Sequence, residues 1–86
     1  MAAYDVVEVV PVDPSRLAVK FADGTQGEVE FRESYFHGVF GVLADPSVFA
    51  SARCDQGFVE WPGGLDLAPD AMYEAIRAHG VWLLEK

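Results

Sequence analysis

The strongest constraint in this chain is the stretch from Arg16 to Arg32, which can fold back on itself in one consistent register. Leu17, Val19 and Phe21 alternate with Arg16, Ala18 and Lys20, while Val29 and Phe31 alternate with Glu28, Glu30 and Arg32. Each run has the period of two of a strand with one buried face. Ala22-Asp23-Gly24 lies between them. A two-residue loop of Asp23-Gly24 would set Val19 opposite Glu28 and Leu17 opposite Glu30, mixing apolar and charged side chains on one face. A three-residue loop, with Gly24 left-handed in a bulged turn, sets Leu17 opposite Val29 and Arg16 opposite Glu30. The spacing therefore predicts the three-residue loop. Gly27 then faces Val19, where something bulky can pack closely.

The flanks can be read around this hairpin. Tyr4–Val12 is valine-rich and reads as a strand, ended by a turn at Asp13-Pro14-Ser15. Ser34 to Phe40 is aromatic and broken by Gly38, so it reads as a short turn or loop. Asp45-Pro46 signals a helix start, giving a short helix over Pro46–Ala50 anchored by Phe49. Ala52–Asp55 and Phe58–Trp61 read as a second hairpin around Gln56-Gly57. Its register places Cys54 opposite Val59, Ala52 opposite Trp61 and Arg53 opposite Glu60, although Gln56 is poorly suited to a positive φ. Pro69–His79 is the clearest helix, with Met72, Tyr73, Ile76 and His79 on one side and Gly80 ending it. Its cap position is Ala68, which has no side-chain acceptor, and Asp66 is the group that could reach forward instead. Val81-Trp82-Leu83-Leu84 is apolar and must be covered by something. The reading is one α+β domain spanning residues 1–86: a small antiparallel sheet built from two β-hairpins, plus a short helix and one longer C-terminal helix.

Fourteen acidic residues against six basic ones give a net charge of -8. The basic residues Arg16, Lys20, Arg32, Arg53, Arg77 and Lys86 are scattered and form no stripe. Phosphate backbones and anionic lipid are both held by clustered Lys and Arg, so neither nucleic acid nor membrane is expected as a partner. The acidity serves solubility, and it suits a basic partner. A chain of 86 residues buries only about two-thirds of its unfolded surface, so modest stability is expected, and a partner chain would help it. The N-terminus lacks the basic and apolar segments of a signal peptide, and no apolar run reaches the ~18 residues of a membrane span. The expectation is a cytoplasmic protein.

Each candidate for chemistry has a plainer role. Cys54 is the single cysteine, which excludes an internal disulfide and a multi-cysteine zinc site. On the inward side of its strand it reads as a small buried hydrophobe rather than a nucleophile. His37 and His79 have no partner at metal-ligand spacing, and His79 suits the negative end of a helix dipole. Glu28 and Glu30 share the outer face of one strand, where a solvated role is usual. The glycines form no phosphate-binding fingerprint. No catalytic residue, cofactor or metal site is expected, and the chain is read as not an enzyme.

What remains is an aromatic surplus: Tyr35, Phe36, Phe40, Trp61 and Trp82. Core filling is the preferred role for Phe40 and Trp61. Trp82 is divided evenly between an intramolecular edge strand and a surface that faces a partner. The candidate interaction residues are Tyr35, Phe36, His37, Trp61 and Trp82, since aromatic side chains are the usual interface anchors.

Three segments, taken in order, resemble a family of small bacterial proteins. They are Leu17-x-Val19-x-Phe21-x-Asp23-Gly24-x-x-Gly27, then Leu43-x-Asp45-Pro46-x-x-Phe49, then Trp61-Pro62-x-Gly64-x-Asp66-Leu67-x-Pro69-x-x-Met72-Tyr73. The family is the domain of unknown function twenty-four forty-two, and the resemblance runs from about Tyr4 to Arg77. Ala68 departs from it, because relatives tend to carry a capping residue there. The apolar tail at 81–86 lies beyond it. The resemblance implies an α+β fold and a gene neighbourhood like that of toxin–antitoxin pairs, and it supplies no reaction. The expected function is therefore a non-enzymatic protein-interaction module, antitoxin-like, whose partner is the product of a neighbouring gene or a second copy of the chain. The alternative is a small-ligand-binding or regulatory domain using a pocket near Tyr35–Phe40 and Trp61.

Overall fold

A computed structural model describes residues 3–85. The central hairpin joins β2 (Arg16–Phe21) to β3 (Gln26–Phe31) in the expected register, with Leu17 opposite Val29, Arg16 opposite Glu30 and Val19 opposite Gly27. The loop has the three expected residues. Gly24 takes φ 92°, and its N–H donates to the Phe21 carbonyl at 2.9 Å. β1 (Val6–Asp13) pairs antiparallel with β2, with register shifts between Val6 and Glu8 and between Pro11 and Asp13. The Asp13 carboxylate closes the connecting turn by accepting from the Ser15 N–H at 2.9 Å.

The sheet is mixed, which corrects the antiparallel expectation. Its order is β1-β2-β3-β4, and β4 (Val81–Leu84) runs parallel to β3. The reason lies in α2 (Pro69–His79), which packs over β3 with Ile76 above Gly27. Gly80, left-handed at φ 79°, ends the helix and places its carbonyl 3.2 Å from the Glu28 N–H. From there an antiparallel course would run off the start of β3 after two residues. A parallel course pairs Val81 to Leu84 with Glu28 to Phe31. The apolar tail is thus an edge strand of its own sheet as far as Leu84, and Lys86 lies outside the described residues.

The second expected hairpin shrinks to single bridges. Arg53 and Glu60 pair as expected, exchanging both backbone hydrogen bonds at 2.9 and 2.8 Å, but no ladder extends from them. Only glycines take positive φ among the described residues, so Gln56 does not enter the two-residue turn and Gly57 alone turns left-handed. Beyond Trp61 the chain reverses at Gly63 and Gly64. Leu67 then donates to Val59 and Trp61 to Leu65, so residues 59–61 have a neighbour on each side.

α1 (Pro46–Phe49) starts as expected, with the Asp45 carboxylate accepting from the Ser47 N–H at 2.9 Å. α2 has the expected bounds but no side-chain cap, so Asp66 does not replace the missing acceptor at Ala68. The core lies on one face of the sheet. There Leu17, Phe21, Val29 and Phe31 meet Leu43, Phe49, Trp61, Met72 and Ile76, all buried.

Candidate functional site

The segment after β3 forms two 3-10 turns, Glu33–Tyr35 and Gly38–Ala44, where a loop was expected. His37 separates them in extended conformation, and Gly38 follows with φ 60°. In a 3-10 helix residues three apart eclipse one another. Phe40 and Leu43 therefore point inward together, Leu43 fully buried, and Val39 and Val42 point outward together. Val39 is 72% exposed and Val42 50%.

An aromatic stack supports this ridge. The Phe31 ring lies 5.7 Å from Tyr35, 5.8 Å from Phe36 and 5.3 Å from Phe49, and Tyr35 lies 4.9 Å from Phe40. Such pairs favour fixed geometries, so the segment is held firmly despite its irregular backbone. Glu33 begins it and Asp45 follows its end.

The five candidate interaction residues do not come together. Tyr35 and Phe36 are half-buried beside exposed His37, in this segment. Trp61 is 1% exposed, and its indole N–H donates to the Phe49 carbonyl at 3.0 Å, so it is a core residue rather than a surface anchor. Trp82 is half-buried on the core side of β4, paired with Val29. Val39 and Val42 were missed, because their three-residue spacing carries meaning only once the backbone is a 3-10 helix.

The groups weighed for chemistry are dispersed. Cys54 is half-buried, and burial pushes its thiol up from the ordinary range. A raised thiol is a poorer nucleophile at neutral pH. His37 and His79 are both exposed. Among the described residues no group of three His, Cys, Asp or Glu could hold a metal ion, and no helix is long and apolar enough to cross a membrane. All four arginines sit beside carboxylates: Arg16 with Asp13 and Glu28, Arg32 with Glu85, Arg53 with Asp55 and Glu60, and Arg77 with Asp23. These cations are locally neutralised, which leaves the surplus of acid to dominate the surface.

The family described as protein of unknown function (DUF2442) matches residues 6–78. The chain belongs to this family. The DUF2442 match spans the sheet hairpin, the aromatic segment and nearly all of α2, and it stops before β4. Comparisons with curated proteins and with solved structures gave no match.

Proposed function

We propose that this chain is a non-enzymatic protein-interaction module that docks a partner on the ridge formed by Val39 and Val42. The exposure of these two valines above a packed aromatic base carries the reading. Interfaces favour an apolar centre on a preorganised support with a polar rim. Glu33 and Asp45 bracket the ridge, and the chain carries a net charge of -8, so the partner has an apolar contact flanked by basic residues. The family resemblance suggests its source, the product of a neighbouring gene in an antitoxin-like pair. A small-ligand pocket in this region is the less favoured reading, because Trp61 is sealed in the core and could not line it.

Co-expression with the product of the adjoining gene tests the proposal. The two proteins should co-purify, and Val39→Asp together with Val42→Asp should abolish the complex while leaving the circular dichroism spectrum unchanged. A neighbour that neither co-purifies nor alters the chain's melting temperature would count against it.

A further inference from the structure

The two edges of the sheet are treated differently. The β1 edge is obstructed. The Val6 N–H donates to the Gly57 carbonyl at 2.8 Å, Pro11 has no N–H, and the strand carries two register shifts. These are the usual devices that blunt an edge. The β4 edge has none of them. The Glu28 N–H donates to the Gly80 carbonyl at 3.2 Å, and the Arg32 N–H donates to Leu84 at 2.9 Å. The Gly80 N–H still belongs to α2, donating to Ile76 at 2.7 Å, and because strand amides then alternate in direction those of Trp82 and Leu84 face β3. Those of Val81 and Leu83 face away, where no described residue meets them.

We propose that this edge pairs antiparallel with β4 of a second copy, about a two-fold axis at Trp82. The strand is self-complementary in that register. Val81 of each copy lies opposite Leu83 of the other, so the two outward amide sets exchange four N–H···O bonds. The side chains that meet there are apolar, with Leu83 38% exposed and Val81 half-buried. An isologous contact of this kind closes at the dimer.

Charge selects the same place and the same register. Two copies of net charge -8 repel, yet Val81 to Leu84 carries no charge. In this register the pairing ends before Glu85, because His79 belongs to α2 and Gly80 is left-handed, so no carboxylate is drawn into it. A shift of two residues would set Val81 opposite Glu85, an apolar side chain against a carboxylate. Four hydrogen bonds between short strands make an association that depends on concentration, and screening the repulsion strengthens it.

Sedimentation equilibrium of the full chain, up to about 1 mM and at about 0.05 and 0.5 M salt, tests the proposal. A monomer–dimer equilibrium is expected, with more dimer at the higher salt. Leu83→Lys sets a charge opposite Val81 in each pair, and Leu83→Pro removes an outward N–H. Each should weaken dimerisation at least about tenfold. Both leave the Trp82 and Leu84 amides that bond to β3. In the wild type, exchange of the Val81 and Leu83 amide hydrogens should slow in step with the dimer fraction, a readout that holds even if a variant fails to fold. A monomer under all conditions, a dimer indifferent to both substitutions, or one whose Val81 and Leu83 amides exchange freely would overturn the proposal. Val39→Asp should leave the dimer unchanged, which separates this contact from the valine ridge.

Discussion

Tyr73 on α2 donates its phenolic hydrogen bond to the carboxylate of Asp23, fifty residues earlier in the β2–β3 loop. Arg77 completes the link. Its guanidinium donates to the Tyr73 oxygen at 3.0 Å, approaches Asp23 at 3.8 Å and lies 5.6 Å from the Tyr73 ring centre. The Tyr73 ring in turn stands edge-on to Phe21 at 5.1 Å. The hairpin and the helix are thereby tied at the loop end.

The Asp23 carboxyl is held at about 2, below its ordinary value of 3.8, mainly by the Tyr73 hydroxyl and then by the Thr25 N–H. A depressed carboxyl stabilises the fold when ionised. Its contribution is complete above about pH 4 and fades as the pH falls toward 2. Tyr73→Phe should bring Asp23 back toward ~3.9 in a carbon-13 titration. The melting temperature should drop at neutral pH, and the gap from the wild type should narrow between about pH 4 and 2.

Gly27 is needed for close approach. A Cβ there would lie 2.5 Å from Ile76 Cγ2 and 2.6 Å from the Gly80 carbonyl. Gly27→Ala should cost about 1–3 kcal/mol in urea denaturation. Ile76→Ala should relieve only part of that strain in the double variant, because the Gly80 carbonyl is backbone and stays in place.

Trp61→Phe should remove the indole donor and leave the Phe49 carbonyl with only the longer bond from the Ala52 N–H at 3.4 Å. Losing the buried hydrogen bond costs about 0.5–1.5 kcal/mol, and the lost ring volume adds to it. The wild type should show blue-shifted indole emission from Trp61, and the variant should retain only that of half-buried Trp82.

Ala68 offers a gain. It sits at the cap of α2 with φ −66° and ψ 117°, the extended geometry of a capping residue, and offers no side-chain acceptor. Ala68→Ser should raise stability by about 0.5–2 kcal/mol, read as a higher urea midpoint at unchanged slope.

Local chemistry was legible in the sequence. Gly24 determined the loop and hence the β2–β3 register, because one choice alone kept apolar residues on one face. Asp45-Pro46 marked the start of α1, and Pro69 and Gly80 bounded α2, because caps and breakers act within a turn of chain. Tertiary structure decided what depends on distant neighbours. Whether Val81–Leu84 ran parallel or antiparallel depended on where α2 delivered Gly80 against Glu28, which no alternation pattern encodes. The 3-10 turns that expose Val39 and Val42 depend on Phe40 and Leu43 finding the aromatic base beneath them. Trp61 could be read from sequence as anchor or core, and the Phe49 carbonyl that received its N–H decided for the core.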